Sequence, residues 1–139
     1  MEICIRENYI DKTALTRTHI IIDEDGKEHE ELMYKREDLV KPPYFYQIVE
    51  VDDKYADCIY SDFDCTGDTF VFNIAKYNSR KEKEKNIKLI NDYKRKLFET
   101  DYKAIKYAEG LISETDYAPI KAERENYRKA INSLEISLK

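Results

Sequence analysis

The sequence is poor in glycine, proline and cysteine and has no tryptophan. Each of the first three residue types occurs only three times among 139 residues. Glycine is therefore too scarce for a loop that cradles phosphates. No apolar run approaches the roughly 20 residues of a membrane-spanning helix, so we expect no membrane contact of that kind. No secretory leader precedes the three cysteines, so we expect reduced thiols in a cytosolic setting.

Charged residues are abundant and unevenly divided. They make up 38% of the chain, and the net charge of −5 gives no case for nucleic-acid binding. Residues 1–75 hold 18 acidic and 8 basic side chains, whereas residues 76–139 hold 11 acidic and 16 basic ones. This division predicts two pieces with different partners, or an acidic piece that docks on a basic piece of another copy. Solvated lysine-rich helix faces explain the same division equally well.

Short strand patterns separated by turn residues fill the first half of the chain. The clearest strand covers residues 18–23, and Asp25 and Gly26 follow it as a tight-turn dipeptide. The return strand, about residues 27–35, is acidic and suits a sheet edge. Residues 7–17 are predicted to be a loop or an irregular edge, and residues 61–68 a turn. Further strands are predicted at the other short apolar runs, residues 1–6, 45–51, 57–60 and 69–74.

From residue 75 the apolar residues recur at intervals of three and four, which predicts helices. We place them at about residues 78–99, 101–109 and 118–137. Thr100 and Asp101 suit the cap of the second helix, Gly110 its end, and Pro119 the first turn of the third. The predicted fold class is α+β, with a small, mostly antiparallel β-domain over residues 1–74 and a helical hairpin over residues 75–139.

Each predicted helix has an apolar face that would pack against a neighbour. The first face includes Ile87, Ile90, Tyr93 and Leu97, and the second includes Tyr102, Ile105 and Ala108. On the last helix, three of the apolar residues lie seven positions apart, a spacing that would also allow a bundle between chains. These three residues are Ile120, Tyr127 and Leu134.

Residues 62–68 resemble the front of a calcium loop, because Asp62, Asp64 and Thr66 alternate before Gly67, with Asp68 after it. Asn73 stands where a bidentate glutamate is needed, so an ordinary turn is favoured and the three aspartates are minor metal candidates. His19 and His29 flank the Asp25–Gly26 turn without the spacing of a zinc site.

No catalytic motif is present. No serine stands in a nucleophile elbow, and neither Cys58 nor Cys65 has a histidine nearby in the sequence. We therefore expect a protein that is not an enzyme and has no cofactor.

Aromatic residues gather around Pro42 and Pro43. Exposed aromatics are enriched at protein interfaces, but tyrosine also fills small β-cores with its hydroxyl at the rim. Both interpretations remain open at this point. The interface candidates are Tyr44, Phe45, Tyr46, Tyr55 and Tyr60 in the β-domain and Ile120, Tyr127 and Leu134 in the last helix.

The second half of the chain resembles the helical C-terminal segment of tail proteins, associated with the fibre or baseplate, of bacteriophages and prophages of Gram-positive bacteria. Residues 72–81 resemble the lead-in to that segment. Tyr127 and Arg128 stand where the segment more usually has Trp-Arg. The matching positions are residues 100–110, 117–120 and 131–132, with Arg124, Arg128, Leu134 and Glu135.

The resemblance implies a structural component of a phage or phage-like tail that attaches near the fibre or baseplate. It implies other tail proteins as partners, the tail fibre among them, a location in the virion tail after synthesis in the bacterial cytoplasm, and a homo-oligomer, since tails are symmetric. One alternative is a tail-fibre assembly chaperone. Another, from a different class, is a host-directed regulator or small metal-dependent enzyme. Residues 1–74 resemble no family and must carry the specificity.

Overall fold

A computed structural model describes residues 1–139 and has the predicted α+β fold, with antiparallel strands in small sheets followed by two long helices. The chain forms two compact units, Met1–Tyr77 and Asn78–Lys139, where the sequence predicted a division after residue 74. The elements in chain order are β1 (Glu2–Arg6), β2 (Tyr9–Asp11), β3 (Thr18–Ile22), β4 (Glu28–Leu32), α1 (Arg36–Leu39), β5 (Gln47–Glu50), β6 (Phe63–Thr66), β7 (Thr69–Phe72), α2 (Ile74–Ala108) and α3 (Glu114–Ser137).

Strand β1 is the centre of the first unit. It pairs antiparallel with β2 on one side and with β5 on the other. Ile3, Cys4 and Ile5 are all fully buried, because successive side chains point to opposite faces and both faces are covered. On one face Ile3 and Ile5 meet Val51, Cys58, Phe63, Phe70 and Tyr77. On the other face Cys4 meets Ala14, Leu39 and Tyr46.

Three parts of the strand prediction were wrong. The predicted loop 7–17 contains β2, because Asn8 adopts a φ of 61° and turns the chain back onto β1. The predicted turn 61–68 contains the whole of β6. The predicted strand 57–60 is absent, because the buried Asp62 carboxylate accepts a hydrogen bond from the backbone N–H of Ile59 (2.8 Å) and closes a 3-10 turn, Tyr60–Asp62.

The predicted hairpin is present as β3 and β4, which pair only with each other. Its turn is organised by Asp23, whose carboxylate accepts hydrogen bonds from the N–H groups of Asp25 (2.9 Å) and Lys27 (2.8 Å). Gly26 has a φ of 76°, a left-handed conformation that glycine adopts without strain.

The two predicted helices 78–99 and 101–109 are one continuous helix, α2. The predicted helix break at residue 100 is absent, because the side chain of Thr100 does not cap a new helix. Its hydroxyl instead donates back to the carbonyl of Leu97 (3.1 Å). The helix starts earlier than predicted because the side chain of Asn73 accepts a hydrogen bond from the N–H of Lys76 (3.1 Å), as an N-cap does.

The end of α2 follows the prediction. Gly110 has a φ of 77°. Its N–H donates to the carbonyl of Tyr107 (3.0 Å), and the N–H of Leu111 donates to the carbonyl of Lys106 (2.8 Å). These two bonds form a Schellman motif.

Helix α3 begins at Glu114, about four residues before the predicted start. Ser113 caps it by accepting a hydrogen bond from the N–H of Asp116 (3.1 Å). Pro119 therefore lies inside the helix, where it leaves the carbonyl of Thr115 without its helical N–H. Both residues are exposed, so water can donate a hydrogen bond to that carbonyl.

Helices α2 and α3 form an antiparallel hairpin. Tyr107 stacks on Tyr117 near the connection, with ring centroids 4.4 Å apart. Farther along, the rings of Tyr93 and Tyr127 lie 5.7 Å apart. The inner face of α3 is a heptad row of buried and half-buried residues, which are Tyr117, Ile120, Arg124, Tyr127, Ile131, Leu134 and Leu138.

Part of the predicted apolar face of α2 was wrong. Ile90 is buried and Tyr93 and Leu97 are half-buried, as expected for residues that pack inside the hairpin. Ile87 is exposed, and so are Tyr102, Ile105 and Ala108. The inner row follows the three–four spacing of Tyr93, Leu97, Thr100 and Ala104. The four exposed residues belong to neighbouring rows of the helix.

Arg124 places a positive charge in the middle of the hairpin, where it is only 6% exposed. Its Nη1 donates to the carbonyl of Leu97 (2.7 Å) and to the hydroxyl of Thr100 (2.6 Å), and its Nη2 pairs with the carboxylate of Asp101 (2.7 Å). Its Nε is buried without a hydrogen-bond partner. One side chain therefore joins α3 to a backbone carbonyl and two polar side chains within one turn of α2.

We predict that Arg124→Ala destabilises the hairpin by about 2 kcal/mol or more, because it removes three charge-assisted hydrogen bonds and the packing of a buried side chain. The control is Arg128→Ala, since Arg128 is exposed on the same helix and should change stability by less than about 0.5 kcal/mol. Urea unfolding followed by far-UV circular dichroism measures both. Equal effects of the two substitutions would contradict the role given to Arg124.

Candidate functional site

The aromatic interface candidates of the first unit lie mostly in its cores. Tyr46 is buried and Tyr44 is half-buried, with their rings stacked 6.2 Å apart. Tyr55 packs between Phe72 and Tyr77, with ring distances of 5.0 and 4.9 Å, and Tyr60 lies 5.8 Å from Phe70. Phe45 alone among the five points outward and is 64% exposed. The core interpretation therefore describes the four tyrosines, and Phe45 remains a surface candidate.

Arg6, the last residue of β1, contacts several of these aromatic residues. Its Nη1 donates to the carbonyl of Tyr44 (3.0 Å), and its guanidinium carbon lies 4.9 Å from the Tyr46 ring centroid and 5.4 Å from that of Tyr9. Such cation–π contacts are strengthened by partial burial. Burial also raises the pKa of the Tyr46 hydroxyl, so this tyrosine is neutral at physiological pH.

Asp11 and Arg17 close the loop that lies beside this cluster. The carboxylate of Asp11 accepts a hydrogen bond from the N–H of Thr13 (2.9 Å) and pairs with the guanidinium of Arg17 (3.2 Å). Burial alone would raise the pKa of Asp11, but the hydrogen bonds from Thr13 and the charge of Arg17 outweigh it. The pKa of Asp11 therefore lies below its ordinary value.

This lowered pKa predicts a pH-dependent contribution to stability. The contribution of Asp11 is present above its unfolded pKa of about 3.9 and is lost as pH falls through the lower folded pKa. The difference in unfolding free energy between wild type and Asp11→Asn should therefore be largest near neutral pH and shrink below about pH 4. Urea unfolding across this range measures it, with Asp25→Asn in the exposed hairpin turn as the control. A difference that stays constant into acid would contradict the prediction.

An open cleft of about 880 Å³ lies in the first unit. Arg6 supplies a cation, Phe45 and Tyr60 supply aromatic surface, and Asp68 supplies a carboxylate to its lining. Cys65 also lines the cleft, but its thiol donates to the carbonyl of Gly67 (3.0 Å), and the lining contains no histidine to activate it. This mixture of apolar and charged groups suits contact with a polypeptide segment.

Phe45 at the rim of the cleft has a strained backbone, with a φ of 53°. A bulky residue seldom adopts this left-handed conformation, whereas Asn8, at 61°, is of a type that tolerates it. Strain of this kind is retained where the side chain or the turn is needed.

We predict that Phe45→Gly raises the free energy of unfolding by up to about 1 kcal/mol, because relief of the left-handed strain exceeds the added entropy of the unfolded chain. Asn8→Gly is the matched control and should change the free energy of unfolding less than Phe45→Gly does. Thermal unfolding measures both. A loss of stability in Phe45→Gly would show that the exposed ring contributes more to folding than the strain costs.

The minor metal candidates do not form a cluster. The carboxylate of Asp64 pairs with the Lys76 ammonium (2.6 Å) and accepts from the Asn73 side chain (2.8 Å). These two contacts, first that from Lys76, lower the pKa of Asp64. Asp62 is buried, Asp68 is exposed in the turn, and no group of three or more His, Cys, Asp or Glu side chains is placed to hold a metal ion.

The two histidines lie on one face of the β3–β4 hairpin. His29 is opposite Ile21, next to His19 along β3, and its Nε2 lies 3.5 Å from the carboxylate of Glu31. Cys4 is buried in the three-stranded sheet, which does not include this hairpin.

The candidates on α3 lie on the inner face of the hairpin. Ile120, Tyr127 and Leu134 are half-buried on the same row as Arg124, and the ring of Tyr127 contacts Tyr93. A bundle between chains through these residues would therefore compete with the hairpin itself.

Sequence reasoning missed the apolar row on the outside of α2. Phe98 is 77% exposed and Tyr102 is 65% exposed, and Ile105 follows at the same helical spacing. Three large exposed apolar side chains in a row are typical of a contact surface for another protein. The signal was present as a second three–four spacing, shifted by one residue from the inner row.

Comparisons with protein-family models, with curated proteins and with solved structures gave no match to this chain. Neither long helix is apolar enough to cross a bilayer.

Proposed function

We propose that the protein is a non-enzymatic structural component of a phage or phage-like tail. It attaches to the fibre or baseplate region and acts through contacts with other tail proteins. It is present in repeated copies in the tail after synthesis in the bacterial cytoplasm.

One observation supports this proposal above the others. Several residues that resemble the phage-tail segment are ones that hold the hairpin together. Arg124 and its partners Thr100 and Asp101 belong to the resembling stretch, and so do the stacked Tyr107 and Tyr117. The resemblance therefore includes the contacts of a packed structural module. A module of this kind, with an exposed apolar row on α2, suits an assembly role.

The proposal predicts that the protein is found in assembled particles. Mass spectrometry of density-purified tails or virions from the producing bacterium should detect it together with fibre and baseplate proteins. The matched control is a particle preparation from a strain in which the gene is deleted. Absence from intact wild-type particles would reject the structural role.

The second candidate function is a tail-fibre assembly chaperone. The β3–β4 hairpin favours it, because each strand has an unpaired edge on which a strand of an unfinished fibre could pair. Co-expression with the neighbouring fibre gene separates the two functions. A chaperone raises the yield of soluble fibre trimer, whereas a structural component leaves that yield unchanged.

A further inference from the structure

The β3–β4 hairpin exposes apolar surface that nothing in the chain covers. Ile20 and Ile22 are 65% and 69% exposed, and Leu32 is also exposed. The register places Glu30 opposite Ile20 and Glu28 opposite Ile22, so these five side chains share one face. We call these five residues the hairpin face. Two-stranded hairpins are marginally stable alone, so a partner that covers this face would also stabilise the hairpin.

The hairpin is also strongly acidic. Residues 18–32 contain six acidic side chains and one basic side chain, Lys27. Neither Glu28 nor Glu30 has an ion-pair partner among the salt bridges of the chain, in contrast to Glu31, which lies near His29. A partner for the hairpin face must therefore combine apolar surface with positive charge.

Helix α2 offers a surface of that description. Phe98, Tyr102 and Ile105 form its outer apolar row, and Arg95 and Lys106 lie along one side of the row by helical position. These five residues are the helix face. The ammonium of Lys106 lies 4.5 Å from the centroid of the Tyr102 ring, which places a cation directly over the apolar row. Residues 94–109 contain five basic and three acidic side chains. One of the acidic residues, Asp101, forms an ion pair with Arg124.

The two faces match in size as well as in charge. Phe98 and Ile105 are separated by seven residues, or about 10 Å along a helix. Leu32 is opposite Thr18 on the paired strand, so the apolar residues of the hairpin face span about 13 Å along the strands from Ile22 to Leu32. Each face therefore presents an apolar patch roughly 10–13 Å long that is flanked by charges of one sign.

We infer that the hairpin face of one copy docks on the helix face of a second copy. The apolar rows pack together, with the acidic side chains of the hairpin face turned toward the basic side chains of the helix face. Each copy carries both faces, so the contact is heterologous and propagates into a ring or a filament. The inference deepens the proposed function, on which it rests for the expectation of repeated copies. The patch is small, so each single contact is weak and gains from repetition.

Charge reversal with rescue tests this contact. One variant carries Glu28→Lys and Glu30→Lys, and the other carries Arg95→Glu and Lys106→Glu. Sedimentation velocity at low ionic strength should show wild-type association at concentrations up to about 1 mM, the range of weak contacts. Each double variant alone should associate at least about tenfold more weakly. An equimolar mixture should regain association, because each variant then meets a face of opposite charge.

Matched controls reverse the same number of charges away from the two faces. Glu37→Lys with Glu50→Lys serves for the first unit, and Arg128→Glu with Lys129→Glu serves for the second, since all four residues are exposed. Circular dichroism verifies folding of every variant. The inference is overturned if the wild type stays monomeric throughout, if the controls weaken association equally, or if the mixture does not regain it.

These outcomes are distinguishable from failure of the proposed function. A protein that is monomeric yet present in purified particles overturns the self-docking and leaves the tail role standing. A protein that associates through these faces yet is absent from particles overturns the tail role alone.

Discussion

The second unit depends on Arg124, a buried cation in the seam between α2 and α3. A charge in this position loses its hydration, and it is accepted only because three oxygen acceptors on α2 surround it. The acceptors occupy Leu97, Thr100 and Asp101, so the bonds form only in one alignment of the helices. Shifting α3 by a turn would bury the guanidinium without partners. The polar contact specifies the register, as polar residues do in coiled-coil seams. The apolar and aromatic residues beside it supply the burial.

The first unit depends on a different constraint, the double burial of β1. With Ile3 and Ile5 on one face and Cys4 on the other, this strand needs a cover on both sides. The chain provides the first cover from β6, β7 and the start of α2, and the second from the α1 region with its tyrosines. The β3–β4 hairpin contributes buried residues to neither cluster. Most of its residues are therefore free of packing constraints, which is why its apolar and acidic side chains can be understood as surface for a partner.

Local signals predicted much of the fold, and tertiary contacts account for what they missed. The Gly110 helix end and the Asp25–Gly26 turn follow from backbone preferences that no distant residue alters. Thr100 and Asp101 look like a helix cap in sequence, but their side chains are used by Arg124, 23 to 24 residues away. The tyrosines near Pro42 could not be assigned to core or surface, because that choice depends on which elements fold over them. Asp62 looked like a turn or a metal ligand, and only its burial against the Ile59 N–H reveals its structural use.

The same reasoning explains why the candidate contact surface on α2 escaped prediction. A helix with one apolar row has one packing direction, but α2 has two rows that lie about 100° apart, since Leu97 and Phe98 are adjacent in sequence. Periodicity alone merges them into one broad face, and Ile87, Tyr102 and Ile105 were assigned to the seam for that reason. The seam is only as wide as α3, so one row must remain outside. A long helix that keeps apolar residues where its own partner cannot reach them departs from the pattern of a self-sufficient hairpin. Departures of this kind are expected where a second protein completes the packing.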